Sequence, residues 1–412
     1  MSFVMNILKK KIMTGRLRSA IGMIRFPIRQ WIFSIATKKL GLNIVTREDI
    51  LKNKEHYSLI QFGAEESILV DEPYNKNPNE IPSIISSRVG KANTLNQPGV
   101  FEVINARLVG STAVGFDAAG NLLAETLNPL NLSRAIPTRT HILKYFPTWE
   151  DRVDTACSIV MGNGNYFHWI ADYLTRLQGL EFYQEQTGRR PTLIIDKNPT
   201  KWQIESLRLL GYEPENCLPW NGASLKVDRL VIPSWRRERR IIPPSVCRWM
   251  RQRMLSNLDK VESQSDSFSS RIYISRTKTT GRQVINEEEV LAALAPLGFV
   301  SYTMERMSFA DQVRLFSQAE IVVSPHGAAL TNTLFAQNLS VIEFFGSYGS
   351  PSFFLLAKAL GFRYACLASG YSGKNEFSQK YNGVTVDVAR LQVLVEEMLS
   401  LSSDRSLLSM NS

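Results

Sequence analysis

The sequence predicts an α/β protein made of two Rossmann-like domains, and three observations carry that reading. From Cys157 onward, short apolar runs alternate with amphipathic runs of helical length, as parallel sheets covered by helices require. The alternation is broken by the polar, Ser-rich stretch ESQSDSFSS at 262–270. A chain of 412 residues is also longer than one hydrophobic core usually serves.

The chain accordingly divides into a basic amphipathic arm at 1–45, an N-terminal α/β domain with a β-rich start at 46–265, a C-terminal Rossmann-like domain at 266–401 and a frayed tail at 402–412. Residues 1–40 hold nine Lys and Arg and no acid, whereas the other 372 residues hold 39 basic against 38 acidic residues. The net charge of +10 therefore belongs to the arm. This argues against a uniformly basic nucleic-acid-binding body, and no nucleic-acid partner is expected.

Within the arm, apolar and basic residues interleave at helical spacing. QWIFSIAT is too short to span a bilayer, and no long apolar block with a small-residue cleavage site marks a secretory signal. Two readings remain: an interfacial helix on an anionic cytoplasmic leaflet, which is favoured, or a helix docked on the body with its basic face in solvent. The four cysteines are too few and scattered for a disulfide framework, and none forms C-x-x-C, so reduced thiols and a cytoplasmic setting are the default.

In the β-rich start, FEVINARLVGSTAVGFDAAGNLLAET alternates around a turn at Asp117–Asn121. CSIVM is then a strand, and GNGN turns into the helix YFHWIADYLTRLQGL. PTLIID is a strand, KWQIESLRLLG a helix closed by Gly211, and RLVIPS a strand followed by the arginine-dense WRRERRIIPP and a helix to about Asp259. Beyond the linker come strand RIYISR, a helix opened by Asn286 and Glu289 in the N-x-x-E capping pattern, strand FVSYTM and helix FADQVRLFSQA. EIVVS, AALTNTLFAQ, SVIEFF, PSFFLLAKALG and FRYACL continue the strand–helix rhythm.

Open parallel sheets bind ligands outside the carboxyl ends of their strands. SPHGAALTN starts at such an end. Gly327 and Ala328 permit close approach, the helix start offers free N–H groups, and His326, Thr331 and Asn332 add donors. The stretch could equally be a turn with a satisfied histidine. Arg276 at the end of RIYISR and Arg282 beyond it fall on the same edge and suit a diphosphate, and Glu343 there could meet ribose hydroxyls or an arginine. There is no G-x-G-x-x-G after a strand, no P-loop and no D-x-D, so helix dipole and arginines would have to carry a diphosphate without a metal.

In the first α/β block, Asp172 lies four residues after His168, so the two are neighbours on one helix face. They form either an acid/base pair able to take a proton from a hydroxyl, or part of a solvated face with an Asp172–Arg176 ion pair. WRRERRIIPP is either an exposed basic loop or a contact for an anionic acceptor or lipid.

N-Y-F-H-W-I-x-D-x-L-x-R-L at 165–177, Y-I-S-R at 273–276, Arg282, N-E-E-E-V at 286–290, Q-x-x-x-F-x-x-A, P-H-G-A-A-L-T-N and V-I-E-F, in that order, resemble glycosyltransferase family 61, the DUF563 group whose bacterial members are often labelled capsular polysaccharide biosynthesis proteins. The resemblance covers roughly 150–345. It implies a GT-B architecture, with two domains facing across a cleft, and inverting, metal-independent transfer of a sugar from a nucleotide donor, usually a UDP-sugar, to a glycan or lipid-linked acceptor. No other cofactor is expected. The resemblance places Arg276, His326, Gly327, Ala328, Thr331, Asn332 and Glu343 around the nucleotide, with His168 and Asp172 opposite. Asp172 is the expected base, His168 the next candidate. A pyruvyl transferase of polysaccharide assembly and a non-catalytic membrane-bound scaffold are the alternatives.

Overall fold

The structure is a computed structural model describing residues 43–52, 57–77, 80–127, 151–162, 164–263, 267–277, 279, 281–369 and 382–410, with the backbone alone for 402–410. The expected basic arm lies outside the described residues except for its last three. Among the described residues no helix is long and apolar enough to cross a membrane.

The strands are β1 Ile44–Val45, β2 Tyr57–Gln61, β3 Glu66–Leu69, β4 Ala92–Leu95, β5 Gly99–Val109, β6 Val114–Phe116, β7 Leu122–Leu123, β8 Asp151–Ser158, β9 Thr192–Asp196, β10 Leu218–Trp220, β11 Ser224–Pro233, β12 Arg271–Ile274, β13 Val300–Tyr302, β14 Ile321–Pro325, β15 Ser340–Phe345 and β16 Arg363–Ala368. In the first half one mixed sheet runs β1-β7-β6-β5-β11-β8-β9-β10, with β2 also on β5. β5 joins its two parts by pairing antiparallel with β11 from Val109–Ser224 to Val100–Pro233. Beyond β11 the sheet is parallel, and helices cross over between its strands. β8 begins earlier than the run CSIVM and ends within it. The parallel register with β11 holds residues 151–156, while Ile159 and Met161 bury themselves beyond the ladder.

The second half is a five-stranded parallel sheet ordered β13-β12-β14-β15-β16, with helices between successive strands as the alternation predicts. This is a doubly wound order whose switch point lies between β12 and β14. The register sets Tyr273 beside Val323 and Ser324 beside Glu343, so the residues after β12 and β14 emerge side by side.

The linker lies between the 3-10 turn Leu258–Lys260 and β12. Asn286 is the N-cap residue of its helix and its amide donates to Glu289 at 3.2 Å, but it makes no cap bond to the helix backbone and instead bonds both the N–H and the C=O of Val386. The last helix, Val388–Met410, runs past Ser402, where the sequence suggests fraying. The halves share one continuous hydrophobic core containing Trp169, Leu177 and Val246 from the first, and Phe309, Phe335 and Phe354 from the second. A segment of the first half also lies along β16: Tyr74 N–H donates to Tyr364 O at 2.7 Å, and the Asn75 amide bonds both main-chain groups of Cys366.

Candidate active site

At the switch point, Arg276 follows β12 and the Pro325–Gly327 turn follows β14. The Arg276 guanidinium lies against the bare Cα of Gly327, where an added Cβ would meet Nη1 at 2.3 Å. Burial, then the neighbouring Arg282, push the Arg276 pKa down to about 10. Its Nε is a buried donor without a hydrogen-bond partner. Arg282 holds φ +55° and rests over the Tyr348 ring, its guanidinium carbon 6.0 Å from the centroid. Arg276 thus lies within electrostatic reach of a second cation, Arg282, and an oxyanion beside it would relieve that repulsion.

The chain leaves Gly327 as a 3-10 helix, Ala328–Phe335, whose first N–H groups, those of Ala328 and Ala329, precede its first internal bond from Leu330 N–H to Gly327 O. Behind this mouth His326 is buried, its Nδ1 on Glu343 and its ring packed against Phe345 and Phe353. Glu343 is fully buried, with its second oxygen accepting from the Tyr364 hydroxyl at 2.6 Å. It is thus an anchor for His326, not the open carboxylate considered for ribose, because its ladder position between β14 and β16 turns it inward. Thr331 and Asn332 also turn inward. Thr331 donates to Ala328 O, and Asn332 accepts from Tyr166 at 2.5 Å and donates to Gln312 at 2.8 Å. Asn332 thereby ties the two halves together.

In the first half, Asn165 caps the opposing helix by accepting from the His168 N–H. The helix runs Tyr166–His168, loosens into a π-helical stretch Trp169–Tyr173, tightens through Leu174–Arg176 and continues as Leu177–Thr187. Such π segments are often found at functional sites. His168 Nδ1 sits 2.7 Å from Asp172 Oδ2. Arg237 grips the same carboxylate, Nε to Oδ1 at 2.5 Å and Nη2 to Oδ2 at 2.9 Å. Burial alone would raise the Asp172 pKa, but the Arg237 charge and the bonds from His168 and Arg237 hold it below the usual carboxylate range. An ionised carboxylate only accepts, so Nδ1 carries a proton, which in the neutral ring leaves the lone pair on Nε2. The His168 side chain is 27% exposed against 5% for Asp172. Of the two, His168 is the more accessible, with Asp172 buried behind it against its Nδ1.

The solvated-face reading of this helix fails, since Asp172, Thr175 and Arg176 are all buried. The partner of Asp172 is Arg237, from the arginine-dense segment, not Arg176. Arg176 instead donates to Pro233 O at 2.9 Å and Ser158 O at 3.2 Å, fastening the carboxyl ends of β11 and β8. Its guanidinium stacks over Trp235, 4.4 Å from the ring centroid. The pairing with Arg237 was hidden because its partners lie 65 residues apart. The signal that could have found it was the density of arginines directly after a strand end.

Between the halves lies a cleft of about 570 Å³. Tyr166, Lys201, Trp202 and Glu205 line it from one side, and Arg276, Met304–Ser308, Gln312, Ala328 and Ala329 from the other. Tyr166 and Trp202 meet edge to face at 5.3 Å, giving one wall an aromatic surface. The cleft thus combines aromatic and thioether walls with an arginine and free N–H groups, a lining suited to a nucleoside joined to an anion. Among the described residues no three His, Cys, Asp or Glu side chains gather as metal ligands would.

The family model described as Glycosyltransferase 61 matches residues 166–342, from the start of the His168 helix to Ile342 in β15. The chain is similar to part of protein O-linked-mannose beta-1,4-N-acetylglucosaminyltransferase 2 of Homo sapiens, with 39% identity over 88 residues, 20% of this chain and 15% of that protein. It is 33% identical to the Xenopus tropicalis protein of the same name over 99 residues, 23% of this chain and 17% of that one. With the EGF domain-specific O-linked N-acetylglucosamine transferase of Drosophila melanogaster it shares 37% identity over 98 residues, 22% of this chain and 18% of that protein. The chain thus spans less than a fifth of the length of these relatives. The family and these relatives are glycosyltransferases.

Proposed function

We propose that the protein is an inverting glycosyltransferase of GT-B type that moves a sugar from a UDP-sugar to a hydroxyl of a glycan or lipid-linked acceptor. The observation that supports this reading is the cleft whose lining joins Tyr166 and Trp202 of the first half to Arg276, Ala328 and Ala329 of the second; His168 and Asp172 follow Tyr166 on the same helix but are not among the lining residues. In the proposed step His168 Nε2 accepts the proton of the acceptor hydroxyl. That oxygen bonds to the anomeric carbon from one face as the carbon–oxygen bond to UDP breaks on the other. The electron pair leaves on the diphosphate, where Arg276, Arg282 and the Ala328 and Ala329 N–H groups stabilise it without a metal. The cleft keeps water from the donor.

A setting on the cytoplasmic face of a membrane, held there by the basic arm, and a role in capsule or other polysaccharide assembly complete the proposal. The relatives' names point to N-acetylglucosamine, so UDP-N-acetylglucosamine heads the donor panel. The test is a thermal-shift comparison of UDP-sugars with phosphoenolpyruvate, followed by release of free UDP with candidate acceptors. Stabilisation by phosphoenolpyruvate alone would make the protein a pyruvyl transferase, and no response to any nucleotide would favour the scaffold.

A further inference from the structure

The first half's wall of the cleft carries a carboxylate outside the His168–Asp172–Arg237 cluster. Glu205 lines the cleft together with Trp202, both on the helix Lys201–Leu209. Its Oε2 accepts from the Phe309 N–H at 2.5 Å, the first N–H of the helix Phe309–Ser317 in the second half. Such an N–H has no partner within its own helix, so this bond fixes where the carboxylate stands. Among the described residues no cation pairs with Glu205, and its Oε1 has no hydrogen bond. Glu205 is half-buried, as is Trp202. The Trp202 ring meets Tyr166 and Trp169 edge to face, and among the described residues no ring lies parallel to it. Met304 and Met307 line the cleft from the other half.

Indole and thioether walls suit a flat ring. Trp202 stands three residues before Glu205, so the two are neighbours on one helix face. A ring stacked on the indole therefore turns its edge towards the carboxylate. A carboxylate accepts and does not donate, so it suits an edge that presents an N–H and repels the diphosphate. Arg276 and the Ala328 and Ala329 N–H groups of the same cleft take the diphosphate instead, on the reading proposed above. Uracil offers a ring N–H between two carbonyls, and guanine one beside a single carbonyl. The matching ring nitrogens of cytosine and adenine only accept. We propose that Glu205, with Trp202 beside it, reads the base of the donor nucleotide, admitting uracil or guanine through the ring N–H and rejecting cytosine and adenine. This inference rests on the transferase reading.

The test measures binding of UDP, 2′-deoxy-UDP, CDP and GDP to the full chain, to Glu205→Gln and to Trp202→Leu by isothermal titration calorimetry. Glutamine keeps an acceptor for the Phe309 N–H and adds a donor for the cytosine ring nitrogen. The expected result is that UDP binds the wild type at least about tenfold tighter than CDP, and that this ratio falls to about threefold or less in Glu205→Gln. Trp202→Leu should weaken UDP and CDP alike, by about tenfold, because stacking does not distinguish the bases. Tighter binding of UDP or of GDP tells which of the two admitted bases the donor bears. Equal binding of UDP and CDP by the wild type, or an unchanged ratio in Glu205→Gln, overturns the inference. A loss of UDP affinity in Glu205→Gln that 2′-deoxy-UDP does not share also overturns it, because the carboxylate would then hold the ribose. Unchanged UDP affinity in Trp202→Leu overturns it too, a readout that stands even if Glu205→Gln does not fold. The outcomes separate this inference from the one beneath it. A chain that keeps a Glu205-dependent ratio but releases no nucleotide from any nucleotide sugar retains base reading and loses the transferase. A chain that turns over a UDP-sugar without that ratio does the reverse, and a chain that binds no nucleotide loses both.

Discussion

The guanidinium of Arg276 occupies the space that a side chain on residue 327 would need, 2.3 Å separating Nη1 from where a Cβ would stand. Gly327 holds extended backbone, so its lack of a side chain serves this approach and not a strained conformation. Gly327→Ala should therefore fold normally and displace Arg276. Its affinity for UDP is expected to fall about tenfold, or about 1.4 kcal/mol, by isothermal titration calorimetry. Unchanged affinity would detach Arg276 from the nucleotide.

His168→Ala should lower turnover by about two to four orders of magnitude, the range for loss of a general base, while UDP binds within twofold of wild type. Asp172→Asn should also lower turnover, because the ring loses the carboxylate that fixes its tautomer. An active His168→Ala enzyme with a dead Asp172→Asn counterpart would return the base to Asp172. Steady-state kinetics beside UDP titrations decide the matter.

Arg237→Met strips the buried Asp172 carboxylate of its strongest partner, and an uncompensated buried charge costs about 3–5 kcal/mol. The sign of the pH effect follows from the lowered pKa of Asp172, whose ordinary value is 3.8. Its contribution is fully present above that value and is lost as pH falls through the lower folded value. The stability gap between wild type and Arg237→Met should be widest at neutral pH and close below about pH 4, where the variant's carboxyl is neutralised. Urea unfolding across that range checks it; a gap that widens in acid would exclude the charge-pair explanation.

Tyr166→Phe removes the hydroxyl that bonds Asn332 across the two halves at 2.5 Å. The buried Asn332 oxygen is left without that donor, at a cost of about 1–3 kcal/mol in chemical denaturation. The ring remains as a wall of the cleft, so donor binding should weaken less than stability does.

Chelation is the simplest test of how the diphosphate is held. If arginines and N–H groups carry it, UDP affinity in EDTA should stay within about twofold of its value in magnesium. A hundredfold loss in EDTA would place a divalent cation at the site.

The sequence by itself determined the parallel sheet of the second half, because each strand's apolar run and each helix's stripe are local patterns. It also placed Arg276 and His326 at one edge, since strand ends in a doubly wound sheet emerge on the same side. It paired His168 with Asp172 for a similar reason, four residues being one helical turn. Tertiary structure alone decided what those residues do. Whether Asp172 faces solvent or is sealed under Arg237, whether Glu343 opens to a ligand or anchors His326 with Tyr364, and whether Asn332 reaches the cleft or clasps Tyr166 all depend on neighbours far away in the chain. Spacing along the chain shows which side chains share a face or an edge, but burial and long-range hydrogen bonds determine which of them remain free to meet a substrate.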